Sequence, residues 1–235
     1  MVVDDAHNLF LSARGGFEGY NTLLELISHS SHKLFWCLGF NHHAWSYLNS
    51  VYARHQYIGS VLRLTPWPEQ AIQDLILSMH ASTAFRLSYD DIIQAAGSQS
   101  NSEHITYIEN RFFSLLRQQS RGNPRLAIYL WLSSLRLVGD KSLRVGLPEE
   151  PETVELSNLT EDALFVFAGI ARHENLTLSQ VVAVTQLPEG VVRHVLDMGV
   201  RLKLLDCNEN RIYRLAVLYQ YPLINYLQAK QCLYE

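Results

Sequence analysis

Acidic and amide side chains follow two apolar segments near the start of the chain. Met1 to Val3 is followed at once by Asp4 and Asp5, and the nearly uninterrupted apolar run Lys33 to Phe40 ends at Asn41. Carboxylates at a strand end can hold a divalent cation and orient a water molecule, and an amide can hydrogen-bond without adding charge. The pattern therefore predicts a polar site at two strand ends. A solvated strand end and a turn-forming asparagine would account for the same residues.

The elements that must position these residues alternate between strand and helix. The run Lys33 to Phe40 is typical of a parallel strand covered on both faces, and Ser60 to Leu64 has the pattern of a further short strand. Helical spacing predicts helices over Tyr20 to Ser28 and Ala44 to Tyr57. This order is that of an open α/β sheet, in which ligands bind at the carboxyl ends of the strands. The later pattern predicts helices over Ala71 to Phe85, Ile105 to Gln119 and Pro124 to Leu137.

The last segment of the chain has a compact order of its own. Thr160 and Thr177 are placed to cap two helices, and the segment Glu189 to Met198 predicts a third. Arg201 to Val217 has the pattern of a β-hairpin, and Pro222 to Leu233 supplies a final helix. Helix, helix, turn, helix and hairpin is the order of a winged helix.

The segment 2–5 (VVDD) resembles the Walker B motif of P-loop ATPases. With the elements after it, the chain resembles the C-terminal portion of an AAA+ ATPase of the ExeA, Orc/Cdc6 or STAND-like kind. The resemblance implies that Asp4 helps to hold Mg²⁺ and that Asp5 orients or deprotonates the attacking water. Many AAA+ members carry glutamate at the second position, and the shorter aspartate resembles the STAND branch. Asn41 would be sensor 1, facing the nucleophilic water or the γ-phosphate, and Arg54 the arginine finger that reaches a neighbouring subunit's nucleotide.

Gly122-Asn123-Pro124-Arg125 is the most specific motif in the chain. Asn123 can cap a helix, Pro124 fits its first turn, and Arg125 emerges at its start. A cation there opposes the helix dipole, so an anionic ligand explains it better than helix stability does. The motif resembles the sensor 2 turn of the same ATPase groups, which implies that Arg125 contacts ATP. Arg54 has the alternative of a surface arginine that complements a helix C-terminus.

The sequence contains no phosphate-binding loop of the form G-x-x-x-x-G-K-[ST], and no glycine is followed by lysine. In the resembling ATPases, the strand leading to that loop lies between the strand ending at Asn41 and the strand at Ser60 to Leu64. We therefore expect a chain cut at the metal-binding strand, with an exposed sheet edge along Lys33 to Phe40. ATP and Mg²⁺ binding, and ATPase activity, are expected only if the full-length protein includes the missing loop.

Composition excludes several other classes of protein. With 48% hydrophobic and 18% charged residues the chain is globular, and its net charge of −4 argues against wholesale capture of nucleic acid. Three separated cysteines provide neither a disulfide framework nor a CxxC zinc site, and no HExxH or GxSxG motif occurs. No apolar run approaches the ~18 residues of a membrane span, and the first residues do not form a signal peptide. We expect a cytoplasmic chain with no membrane segment in this piece.

The resemblance divides the chain into four parts. Residues 1–64 would finish the AAA+ α/β core, 65–145 form a helical lid, 146–157 a linker, and 158–235 a winged helix. The expected fold is thus a remnant of a P-loop AAA+ core, a helical lid and a winged helix, mostly α overall. In the intact protein, ATP between core and lid would set the lid angle and move the winged helix, and AAA+ contacts would build a homo-oligomer.

The partner of the winged helix depends on its surface charge. A mixed surface favours a protein partner over tight phosphate binding, although DNA stays open as a partner. Two alternatives are a non-enzymatic winged-helix DNA-binding regulator with a dimerising N-terminal half, and a protein-interaction adaptor. The available cations are Arg193, His194, Arg201, Lys203, Arg211 and Arg214, interspersed with Glu189, Asp197, Asp206 and Glu209.

Overall fold

The protein's computed structural model describes residues 1–52, 58–89, 102–151 and 153–234, and at residues 102–105 and 155 only the backbone. The described part of the chain is mostly helical, as predicted. Within those residues no helix has the length and apolarity needed to cross a membrane.

The chain divides into two compact units. One consists of Met1–Val61 together with Glu152–Glu235, and the other is Leu62–Pro151. The first and last segments, which the sequence suggests as separate parts, therefore pack together. The four predicted domain ranges stay predictions. The two compact units instead place residues 1–61 and 152–235 together.

The first segment is built around a two-stranded parallel sheet. Val2 pairs with Cys37, and Val3 with Leu38, so the two predicted strands are parallel neighbours, each two residues long. The adjoining apolar side chains are open to solvent, with Phe35 86% exposed. The elements in order are β1 (Val2–Val3), a 3₁₀ turn (Ala6–Leu9), α1 (Glu18–Ser30), β2 (Cys37–Leu38), α2 (His42–Tyr47) and a π-helical turn (Leu48–Tyr52).

Outside residues 90–101, which the structure does not describe, the second unit contains three helices and a small mixed sheet. In the sheet β5 lies in the middle, parallel to β3 and antiparallel to β4. Its elements in order are α3 (Glu69–Ala81), β3 (Arg86–Ser88), α4 (Ser102–Ser120), α5 (Pro124–Ser134), β4 (Leu135–Leu137) and β5 (Ser142–Val145). The core is formed by fully buried side chains that include Ile72, Ile76, Phe113, Leu116 and Leu130.

Two sequence-based predictions in this region are wrong. Ser60 to Leu64 forms no strand, and Leu62 and Leu64 are 93% and 99% exposed. A short β pattern forms a strand only where a neighbour completes its hydrogen-bond ladder. The helix predicted to reach Leu137 ends at Ser134, because Leu135–Leu137 pairs with β5 instead. Tertiary pairing thus overrides local helix propensity.

The last segment contains four helices and a three-stranded antiparallel sheet among its described residues. Thr160 caps the first helix by accepting a hydrogen bond from the Ala163 N–H, and Thr177 forms a capping box with Gln180, so both predicted caps are confirmed. After a 3₁₀ turn (Val154–Asn158), the elements in order are α6 (Glu161–His173), β6 (Leu176–Thr177), α7 (Leu178–Thr185), α8 (Glu189–Arg201), β7 (Leu205–Cys207), β8 (Ile212–Leu215) and α9 (Gln220–Ala229).

The sheet order in this segment is β6, β8, β7. The helices pack around one apolar cluster that also includes part of the first segment, since Leu11 packs against it. Its largest fully buried members are Phe167, Ile170, Leu176, Leu196, Leu204 and Leu223.

Candidate functional site

The polar ends of the two parallel strands meet at one edge of their sheet. Asp4 and Asp5 follow β1 directly and are both exposed. The Asp5 N–H donates to Asp4 Oδ1 at 3.0 Å, and the Ala6 N–H donates to the Gly39 carbonyl at 2.8 Å. A side chain at Gly39 would place its Cβ 2.7 Å from Asp4 Oδ1, so the acid lies against the end of β2. Exposed carboxylates at this edge are suitable oxygen ligands for Mg²⁺.

Asn41 is the N-cap of α2, the residue directly before the helix. Its side chain already forms hydrogen bonds within the protein. Its Oδ1 accepts from the His43 N–H at 2.7 Å, which makes it the helix cap. Its Nδ2 donates to Glu174 Oε1 at 2.8 Å and to the Ala171 carbonyl at 3.3 Å. The amide therefore connects the strand end to the last turn of α6. Contact with a nucleotide would require it to give up the bonds to α6.

His7 lies beneath this edge, next to the same glutamate. The side chain is 1% exposed, and its Nδ1 accepts from the Asn41 N–H at 3.3 Å. The ring proton therefore resides on Nε2, which is 3.6 Å from Glu174 Oε2 and makes no hydrogen bond with any described residue. Asp5 joins the group, because ligand atoms of Asp5, His7 and Glu174 all lie within 4.8 Å of one another.

Sequence reasoning assigned no role to either His7 or Glu174. Glu174 is 133 residues from Asn41, so no spacing rule relates them. Asp5 and Glu174 both have positive φ, 51° and 60°, but five other described residues that are not glycine do as well, so this backbone feature does not mark the site.

A second group of polar side chains joins the first segment to α6. Ser12 Oγ lies 2.9 Å from His173 Nε2 and accepts from Arg172 Nη1 at 3.0 Å. The Arg172 guanidinium also lies over the Tyr47 ring, 4.3 Å from its centroid. Burial, followed by the nearby Arg172 charge, lowers the pKa of His173 to about 3. A histidine of such low basicity is a poor general base at neutral pH, so the serine and histidine contact is structural.

A small cleft opens between the loop after β1 and the elements that follow α6. It has a volume of about 190 Å³, below the ~300 Å³ at which ordinary ligand pockets begin. His7, Asn8, His173, Asn175 and Gln180 provide its polar lining. A cleft of this size, lined by uncharged amide groups, is suited to bind a ligand no larger than a small polar molecule.

Arg125 lies in the second unit and begins α5. Asn123 caps this helix by accepting from the Arg125 and Leu126 N–H groups at 2.9 and 3.3 Å, and Pro124 occupies the first turn. The predicted capping geometry is thus confirmed. Gly122 has φ +75° and lies so close to Trp67 that a Cβ would be 2.7 Å from its carbonyl oxygen. The Arg125 side chain is exposed and forms no ion pair with another described residue.

The predicted arginine finger, Arg54, lies outside the described residues. The surface cations of the last segment are partly compensated. Arg193 forms an ion pair with Glu189 at 2.6 Å, and Arg214 with Asp206 at 3.6 Å. Both pairs are on α8 or the β7–β8 hairpin, the surface predicted to contact a partner.

Comparison with protein-family models, with curated proteins and with solved structures found no match to this chain. The functional assignment therefore rests on the residues and their geometry.

Proposed function

We propose that this chain is the C-terminal portion of an AAA+ ATPase of the ExeA, Orc/Cdc6 or STAND-like kind. The observation that carries the proposal is the parallel pairing of β1 and β2, which brings Asp4 and Asp5 to the same sheet edge as Asn41. Ligands of open α/β sheets bind at that edge. Two acids beside an amide are the groups needed to hold a metal ion and a water molecule next to a phosphate.

In the proposed site, Asp4 holds Mg²⁺ and Asp5 orients the attacking water. When bound, the ion would neutralise charge that develops on the phosphate. Hydrolysis also requires a phosphate-binding loop, which would come from a part of the intact protein outside this sequence. In an AAA+ homo-oligomer, Arg54 would act on the nucleotide of the neighbouring subunit. A cytoplasmic location belongs to the same proposal.

Arg125 provides independent support for an anionic ligand. Its positive charge lies in the first turn of α5, where the helix dipole disfavours a cation, and no acidic partner compensates for this among the described residues. A phosphate group would pair with the guanidinium and complement the positive end of the helix dipole. This supports a sensor 2 role for Arg125 in ATP binding.

Asn41 provides a route from the nucleotide to the last segment. The two N–H groups of Asn41 Nδ2 already donate to Glu174 and Ala171. A hydrogen bond from Nδ2 to a phosphate would therefore weaken at least one of these two bonds. A γ-phosphate would therefore compete with the last turn of α6. In the proposed mechanism, ATP binding weakens the attachment of the first segment to α6, and hydrolysis restores it.

We propose further that residues 158–235 form a winged helix that binds a protein. Support for the fold comes from the element order α6, β6, α7, α8 and a β7–β8 hairpin. A protein partner is favoured over DNA because Arg193 and Arg214 are already paired with acids. Phosphate binding needs several uncompensated cations.

Nucleotide affinity of the intact protein tests the ATPase proposal. Arg125→Ala should weaken binding of a fluorescent ATP analogue at least about tenfold, the scale of one charge-assisted hydrogen bond. Arg117→Ala is the matched control, because Arg117 is exposed but lies in the last turn of α4, where a cation suits the helix dipole. Equal affinities of the two variants would refute the role of Arg125.

DNA binding by the intact protein tests the nature of its partner. We expect no binding of duplex DNA tighter than the non-specific range of about 10⁻⁴ to 10⁻⁶ M at physiological salt. Tight binding that falls steeply with salt, and that Arg201→Ala weakens, would instead support the DNA-binding regulator.

A further inference from the structure

A buried histidine lies between two carboxylates at the C-terminal end of α6. His7 is 1% exposed, and its Nε2 lies 3.6 Å from Glu174 Oε2 and has no hydrogen-bond partner among the described residues. A carboxylate oxygen of Asp5 completes a group of three ligand atoms within 4.8 Å of one another. A polar atom this deeply buried and unsatisfied requires an explanation, and an ion is one of the ordinary ones.

We propose that Asp5, His7 and Glu174 form a binding site for a divalent transition metal of the Zn²⁺ class. Tetrahedral ligands about 2.0 to 2.1 Å from zinc are roughly 3.3 to 3.5 Å apart. The 3.6 Å between His7 Nε2 and Glu174 Oε2 is close to that value, and a carboxylate oxygen of the exposed Asp5 lies within 4.8 Å of both atoms. Three protein ligands leave the fourth position for water or another ligand.

The donor set distinguishes this site from the Mg²⁺ site proposed for Asp4. Mg²⁺ and Ca²⁺ take oxygen ligands almost entirely, whereas an imidazole selects zinc and its transition-metal neighbours. The metal site and the ATPase proposal both assign a role to Asp5, and while Asp5 holds zinc it is not available to orient the attacking water. The metal site requires neither a phosphate-binding loop nor a nucleotide.

Surrounding groups orient the ligands for a cation. Asn41 Nδ2 donates to Glu174 Oε1 at 2.8 Å, and the second carboxylate oxygen, Oε2, lies 3.6 Å from His7 Nε2. Hydrogen bonds of this kind to a ligating carboxylate typically contribute 10- to 100-fold to metal affinity. Glu174 also follows the last residue of α6, where the negative end of the helix dipole favours a positive ion.

Coordination changes the position of the imidazole proton. In the structure Nδ1 accepts from the Asn41 N–H, so Nε2 carries the proton. As the metal–Nε2 bond forms, the Nε2–H bond breaks, and the neutral ring takes a proton on Nδ1. The 3.3 Å contact from the Asn41 N–H is then lost. Nδ1–H and the Asn41 N–H then face each other without an acceptor, and each unsatisfied buried donor costs roughly a factor of 5 to 150 in an equilibrium constant. The combined cost remains below the ~10⁵ to 10⁶ that a dissociation constant of about 1 to 10 μM represents.

Isothermal titration of the full chain with Zn²⁺, in the presence of a phosphine reductant, tests the proposal. We expect one site with a dissociation constant of about 1 to 10 μM, and Mg²⁺ at millimolar concentration should not compete with it. Glu174→Gln and Asp5→Asn should each weaken Zn²⁺ binding at least about tenfold. Glu209→Gln is the matched control, since Glu209 is an exposed carboxylate in the turn between β7 and β8, outside the group, and it should change the affinity by less than about twofold.

Exposed residues elsewhere could bind zinc adventitiously, and the titration must distinguish them. Cys37 is exposed, as are His29 and His32, so a triple variant that replaces these residues should retain the tight site. Zinc should also shift the backbone amide resonance of Asn41, which loses its contact with His7. The proposal is overturned if binding is weaker than about 100 μM, if Glu174→Gln binds like the wild type, or if the triple variant loses the site.

Discussion

Replacing Asn41 by aspartate separates the two structural roles of its side chain. An aspartate keeps the oxygen that accepts from the His43 N–H, so the cap of α2 survives. It loses the Nδ2 donor to Glu174 Oε1 and to the Ala171 carbonyl, and it places a second carboxylate against Glu174. The variant thus breaks the connection to α6 and leaves the helix cap in place.

The expected loss of stability follows from these contacts. A hydrogen bond to a charged group contributes about 1.5 to 3 kcal/mol, and the Glu174 side chain is 44% exposed, which favours the lower end. We expect Asn41→Asp to lower the free energy of unfolding by about 1.5 to 2.5 kcal/mol. Asn41→Ala also loses the cap, worth about 1 kcal/mol more, although it adds no repulsion. Asn41→Ser should be the mildest of the three, because it keeps a capping oxygen and adds no charge.

Urea unfolding gives the change in stability, and hydrogen exchange at the α2 amides shows whether it is local. Asn210→Asp, an identical substitution at an exposed position, is the control and should stay within about 0.5 kcal/mol of the wild type. The importance of the bond from Asn41 to Glu174 is refuted if Asn41→Asp also stays within about 0.5 kcal/mol of the wild type.

Three further predictions concern the same structure. His173 has a pKa of about 3 in the folded protein because it is buried, and an ordinary value near 6.5 when unfolded, so the unfolded chain binds the extra proton between these values. His173 should therefore not affect the free energy of unfolding above about pH 6.5, and below about pH 6.5 it should lower that free energy by up to about 1.4 kcal/mol per pH unit. In urea unfolding, His173→Gln should make the midpoint depend less on pH. Phe167→Ala should cost about 3 to 5 kcal/mol in urea unfolding, since Phe167 is fully buried, whereas Phe165→Ala, at 55% exposure on the same helix, should cost under about 1 kcal/mol. Gly122→Ala should lower the melting temperature more than Gly139→Ala does, because both have positive φ but only Gly122 lacks room for a Cβ.

Features that depend on neighbouring residues were predictable from the sequence. The caps at Thr160, Thr177 and Asn123 were predicted correctly, because a capping side chain bonds to backbone two or three residues away. The parallel relation of the first two strands also followed from the strand, helix and strand order.

Features that depend on distant residues were not predictable. Leu135–Leu137 has a helical pattern, and only its pairing with β5 makes it a strand. The grouping of Asp5, His7 and Glu174 likewise arises because the last segment folds back onto the first. Periodicity within either segment carries no information about that contact.

The transcript sequence upstream of the Met1 codon tests whether this chain is part of a P-loop ATPase. The ATPase account predicts an in-frame G-x-x-x-x-G-K-[ST] motif there, placed between an apolar strand and a helix. An in-frame stop codon with no such motif before Met1 would contradict the account.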